Sequence, residues 1–186
     1  NLAREALDHG LQEVHLQAWG GDDESLARCG AALAAIAPGR VLVKLPLTRA
    51  GTTAARRLID ADVPVTLTAC YAVHQVLLGA ALGAAYVAPY LGRICDRGRD
   101  GHAELIAMQQ ALAGIGSSTR LLVASLRQPD DLARLAVGGL NCFTLSASLA
   151  AALFNVDATQ EAAAQFERDA GCGADASPSG GQDSAS

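Results

Sequence analysis

The chain has 186 residues, 51% of them hydrophobic, and a formal net charge of −5, enough to build one domain around a sizeable core. The acidic balance argues against a nucleic-acid surface, and no apolar run approaches the length of a membrane span. No basic, apolar, small-residue signal sequence is present either, so the composition predicts a soluble, cytoplasmic protein.

Taken in order, the hydrophobic periodicity predicts a helix over residues 2–9 closed by Gly10, and a strand over 13–19. After the Gly20-Gly21-Asp22-Asp23 loop, a helix over 24–36 places Leu26, Ala27, Leu33 and Ile36 at apolar positions, and Pro38-Gly39 ends it. A strand over 41–47 is followed by a loop over 48–51 and a helix over 52–61. The next strand, 65–70, leads into a helix over 71–82 that stops at Gly83, and then a strand over 84–90. A polar loop over 91–101 carries Arg93, Asp96, Arg97, Arg99 and Asp100 ahead of a helix over 103–113. Strands over 120–126 and 141–146 flank a short helix over 129–137, and helices over 147–154 and 157–170 follow. From Gly171 the residues are mainly Gly, Ala, Ser, Asp, Pro and Gln, which predicts a disordered tail over 171–186.

Strand and helix alternating this regularly mean βα units and a parallel sheet. An open doubly wound sheet and a (β/α) barrel both satisfy the pattern. No glycine fingerprint follows any strand, which disfavours a dinucleotide-binding sheet. The expectation is therefore a TIM barrel occupying residues 1–170, with six strands in hand where a closed barrel has about eight.

The run Val41-Leu42-Val43-Lys44-Leu45-Pro46-Leu47 carries one charge in an apolar strand. Burial favours the neutral amine, which is nucleophilic. Alternatively Lys44 sits at a strand end and snorkels to water or pairs with a carboxylate. The five cysteines (Cys29, Cys70, Cys95, Cys142, Cys172) and four histidines (His9, His15, His74, His102) are scattered. They form neither a CxxC pair nor a helical i, i+4 ligand pair, so no metal is expected. Alternation puts Gln17 on one face with His15 and Trp19, Thr66 with Thr68, Ala88 with Tyr90, and Ser125 with Arg127. In a barrel these late strand positions line one mouth together with Lys44.

Four motifs in the same order carry a resemblance. They are Val-Lys-Leu-Pro-Leu-Thr at 43–48 with Gly51 following, Thr68-Ala69-Cys70-Tyr71 with Gln75, Val87-Ala88-Pro89-Tyr90-Leu91-Gly92-Arg93-Ile94, and Ala124-Ser125-Leu126-Arg127. With them, the segment from Gln17 to Phe166 resembles the small transaldolases and fructose-6-phosphate aldolases, class I barrel enzymes that form a Schiff base on a lysine. The resemblance implies that Lys44 attacks a ketose carbonyl, while Gln17 and Thr68 hold the water or hydroxyl groups used in proton transfer. It implies that Tyr90 handles a proton beside the reacting carbon, and that Arg93, Ser125 and Arg127 bind the substrate's phosphate. It further implies phosphorylated sugars as substrates, no cofactor, and a homo-oligomer in which the last helix reaches a neighbour.

Family members also begin with an aspartate-bearing strand and a Thr-Thr-Asn-Pro strand, and neither occurs here. The expectation is a barrel lacking its first two strands. Two other readings stay open at this point: a lysine-dependent barrel of the deoxyribose-phosphate aldolase type, and a non-catalytic fragment that binds phosphosugar.

Overall fold

The computed structural model describes the backbone of residues 2–174 and the side chains of residues 2–171. Five parallel strands form one sheet in the order of the sequence: β1 (Val14–Gln17), β2 (Val41–Pro46), β3 (Val65–Cys70), β4 (Tyr86–Pro89) and β5 (Arg120–Leu121). Between them run α2 (Asp23–Ala34), α3 (Arg49–Ile59), α4 (Val73–Leu82), the short α5 (Leu91–Cys95) and α6 (Gly101–Gly114). The chain begins with α1 (Leu2–Asp8), and α7 (Pro129–Val137), α8 (Ala147–Ala152) and α9 (Asp157–Ala174) follow the sheet.

A strand order that never reverses keeps every crossover helix on one side of the sheet, whereas a doubly wound sheet reverses and is covered on both faces. The two faces differ accordingly. Val43, Leu45, Val65, Leu67, Val87 and Val123 pack toward the helices in one large buried core, while Leu42, Tyr86, Ala88 and Leu122 form a small cluster of their own. The second face is the lumen side. The architecture is α/β, part of a TIM barrel, as the alternation of elements indicates.

The boundaries depart from the sequence expectation in five places. Helix α3 starts at Arg49, inside the expected loop, because the Thr48 hydroxyl accepts the Gly51 N–H at 3.1 Å and caps it. The expected polar loop contains α5. The strand expected over 120–126 is regular only for Arg120–Leu121 and continues as single bridges, Tyr90 to Ala124 and Val123 to Phe143. Its ladder stops where Ser125 adopts a left-handed φ of 62°. The sixth strand expected over 141–146 is reduced to that Phe143 bridge, although Val123 and Thr144 N–H groups still donate to Cys142 and Val123 carbonyls at 2.9 and 2.8 Å. Helix α9 runs through Ala174, so the first residues of the expected tail are helical, and its remainder lies outside the described residues.

Register sets the site. Gln17 pairs with Lys44, Lys44 with Thr66, and Pro46 with Thr68, which pairs with Ala88. Because side chains alternate across a strand, Lys44 shares the lumen side with Leu42, and Tyr90 lies two residues beyond Ala88 on the same side.

Candidate active site

Lys44 lies on β2 between buried Val43 and Leu45 and is itself half-buried. The strand ends immediately beyond it, against α3. A Cβ on Gly51 would stand 1.9 Å from the Pro46 carbonyl oxygen, so only glycine lets the first turn of α3 approach the end of the lysine strand this closely. Gly51 is thus a requirement of the strand-to-helix corner next to Lys44.

The lysine, Tyr90, Arg93, Ala124 and Ser125 line one cleft of about 290 Å³. These residues come from β2, from the turn after β4, from α5 and from the irregular segment after β5. Thr68 joins them through a hydroxyl pair, its Oγ1 lying 2.7 Å from the Tyr90 phenol oxygen. Tyr90 is held further by an edge-to-face contact with Tyr71 at 5.6 Å, a favourable aromatic geometry. The Arg93 guanidinium lies over the Tyr90 ring at 4.7 Å, and that of Arg97 over the Tyr71 ring at 5.1 Å. The Tyr71 hydroxyl raises the pKa of Arg93 above its ordinary value, so the cation facing the cleft is permanent.

Tyr71 is fixed from behind. The Gln75 side-chain carbonyl accepts the Tyr71 and Ala72 N–H groups at 2.7 and 3.1 Å, closing the first turn of α4. Ala69 just before it has a left-handed φ of 59°, at a break in register between Thr68 and Cys70. Left-handed backbone in a residue with a Cβ is costly and gathers at functional sites. Both such residues at strand ends here, Ala69 and Ser125, flank the cleft residues Thr68 and Ala124.

Two of the residues singled out in the sequence are placed otherwise. Gln17 donates its amide N–H to the Ala18 and Lys44 carbonyls at 3.0 and 3.1 Å, bracing β1 against the lysine strand rather than lining the cleft. Arg127 is exposed and makes a bidentate pair with Asp96, at 2.7 and 2.5 Å. Strand alternation would align it with Ser125, but the left-handed Ser125 backbone interrupts that alternation. Arg127 nevertheless stays close: a Cβ on Gly92 would stand 2.6 Å from its Nε and 3.0 Å from Ser125 Oγ.

A buried pair stands behind this corner. Asp131, 4% exposed, accepts from the Arg127 and Gln128 N–H groups at 3.2 and 3.3 Å and bonds His102 Nε2 at 2.9 Å. Burial pushes its carboxyl up, but those N–H donors and His102 outweigh it and hold the pKa below the ordinary 3.8. The signal in the sequence was Gln128-Pro129-Asp130-Asp131, an acidic residue at the third helical position, which caps helices. Cys70 is a poor nucleophile, because burial pushes its thiol up to about 12.

The arrangement offers an amine at a parallel strand end, two coupled hydroxyls across from it, and a cation with a serine on one wall. A model of the transaldolase/fructose-6-phosphate aldolase family matches residues 3–180. A probable transaldolase of Phenylobacterium zucineum is 31% identical over 156 residues, covering 84% of this chain and 71% of that one. One from Rhodospirillum centenum is 33% identical over 172 residues, covering 91% and 73%. A solved structure of a mandelate oxidase mutant, 18% identical, superposes with a TM-score of 0.52 over 72% of this chain and 48% of that one, a likeness of fold alone. With the family model spanning nearly all of the described residues, the chain belongs to the transaldolase/fructose-6-phosphate aldolase family.

Proposed function

We propose that the chain cleaves or transfers a dihydroxyacetone unit between phosphorylated sugars through a Schiff base on Lys44. The observation that carries this reading is the convergence of Lys44, Tyr90, Arg93 and Ser125 on one cleft. The Lys44 amine adds to the ketose carbonyl and water leaves, giving an iminium. A base takes the proton of the hydroxyl on the β-carbon, and the electron pair of the bond between the α- and β-carbons flows into the iminium, releasing an aldehyde and leaving an enamine. The enamine either attacks an acceptor aldehyde, which is transfer, or takes a proton, which is cleavage; in both cases water then hydrolyses the resulting iminium and frees Lys44.

Among the described residues, the Tyr90 and Thr68 hydroxyls, 2.7 Å apart, handle the proton at this cleft. Arg93 and Ser125 receive the phosphate, a guanidinium and a hydroxyl being suited to its oxygens. Arg127 joins them once released from Asp96, and Gln17 keeps β1 in register with Lys44. We also infer assembly into a homo-oligomer. Support comes from α9, exposed along its described length, with Phe154, Val156 and Phe166 exposed on and before it.

Borohydride reduction with fructose 6-phosphate, followed by peptide mass analysis, tests the chemistry and the site together. The expected result is a reduced adduct on Lys44 that disappears in Lys44→Arg. An adduct confined to peptides without Lys44, or none at all, overturns the reading.

A further inference from the structure

Arg127 presents its two terminal nitrogens to Asp96 at 2.7 and 2.5 Å, while its Nε passes over Gly92 on the side where Ser125 Oγ lies. The backbone beneath it is pinned by buried Asp131. Only the outer side chain is therefore free to change partners. Both members of the pair are about half exposed, and an ion pair in that setting is worth little. Each partner shifts the other in the direction of the charged form, Asp96 downward and Arg127 upward. The pair is thus fully ionised yet weakly held.

We propose that Asp96 is a specificity-determining residue: its carboxylate occupies Arg127 until a ligand phosphate displaces it, so that ligands bearing only a carboxylate are turned away. The inference rests on the phosphate reading above. A phosphate dianion brings more charge and a third acceptor oxygen to Arg127, Arg93 and Ser125 together. A ligand carboxylate offers Arg127 only what Asp96 already offers, without the advantage of being tethered. Discrimination between the two anions then follows from an acidic side chain that touches neither.

The test is NMR titration of the protein with inorganic phosphate and, separately, with acetate, following the arginine Nε–H signals. In the wild type the Arg127 signal moves with phosphate and stays still with acetate. Asp96→Asn tightens phosphate about two- to fivefold and makes the Arg127 signal respond to acetate, and Asp96→Glu restores the wild-type pattern. In the Asp96→Asn, Arg127→Ala double variant the gain is lost. Arg93→Ala serves as the separate control on the site itself. If it weakens phosphate while Asp96→Asn changes neither anion, the role of Asp96 is refuted and the phosphate site stands. If Arg93→Ala leaves phosphate binding intact, the phosphate site is wrong and the Asp96 proposal falls with it.

Discussion

The Thr68 and Tyr90 hydroxyls, 2.7 Å apart, couple adjacent strands at the point where both leave the sheet. Thr68 is buried at 4% exposure, so its hydroxyl has little access to water and depends on the phenol. One hydroxyl donates and the other accepts, and reversing the pair turns the two O–H bonds about their C–O axes without moving a heavy atom. Tyr90 stands on the cleft side of this pair, so in the proposed reaction it is the group that passes a proton to the reacting carbon.

Tyr90→Phe is expected to lower aldol cleavage about a hundredfold, within the range for loss of a positioned acid or base, while Lys44 trapping survives. Transfer to an acceptor aldehyde needs no proton on the enamine carbon and should fall much less. The check is the ratio of cleavage to transfer in the two proteins. A ratio that does not move assigns Tyr90 to packing.

Arg93→Ala is expected to raise KM for a phosphorylated acceptor about ten- to a hundredfold, the consequence of losing a charged hydrogen bond, with kcat nearly unchanged. Acceptors without phosphate should barely respond. Steady-state kinetics on glyceraldehyde 3-phosphate and glyceraldehyde make the comparison, and equal losses on both would remove Arg93 from phosphate binding. The variant also strips the cation from the Tyr90 ring, so a parallel fall in kcat would mean that the stack positions the phenol.

Lys44 was legible because a single charge in an apolar run is an anomaly that composition cannot hide, and β2 and β3 were legible because each is a short run of apolar and β-branched residues between turn signals. Arg127 was not. Its guanidinium pairs with Asp96 just past α5, and the left-handed backbone at Ser125 lies between it and the regular strand; the residue identities around it announce neither. The sixth strand failed for a related reason: apolar residues at Leu140 and Phe143 mark a buried edge, but only one bridge forms there. Gln17 was placed on the right strand and beside Lys44, yet its amide turns to backbone carbonyls. Which polar atom a side chain satisfies depends on neighbours from other strands, information that no single strand contains.

Acid should loosen the corner held by Asp131. Its folded pKa lies below 3.8, so the unfolded chain takes up the proton first as pH falls, and the stability it supplies is complete above about pH 5 and lost as pH drops through the folded value. Asp131→Asn should therefore flatten the acid limb of a stability profile measured by urea unfolding between about pH 2 and 5. Asp131→Ala should cost about 1–3 kcal/mol at neutral pH, because the buried N–H groups of Arg127 and Gln128 lose their acceptor. Identical acid limbs in wild type and Asp131→Asn would show that the carboxylate is not the group titrating.

Gly51 gives the last prediction, since it separates damage to the lysine strand from damage to the chemistry. An alanine Cβ at this position would meet the Pro46 carbonyl oxygen at 1.9 Å, and backbone cannot move aside as a flexible side-chain end can. Either α3 retreats from β2 or the Pro46 peptide rotates. Retreat opens the contacts by which the α3 residues Ala54, Ala55 and Leu58 join the core. Rotation disturbs the end of β2, where the Leu47 N–H donates to Thr68 at 2.9 Å. Overpacking of this kind costs about 1–3 kcal/mol, so Gly51→Ala should lower Tm by several degrees. Because Lys44 lies two residues before Pro46, borohydride trapping should slow in the folded fraction as well. Thr48→Ala removes the cap of the same helix without placing an atom against the Pro46 carbonyl, and should lower Tm while leaving the rate of trapping in folded protein unchanged. If Gly51→Ala melts and traps like wild type, the close approach of α3 to the lysine strand is not a constraint on the site.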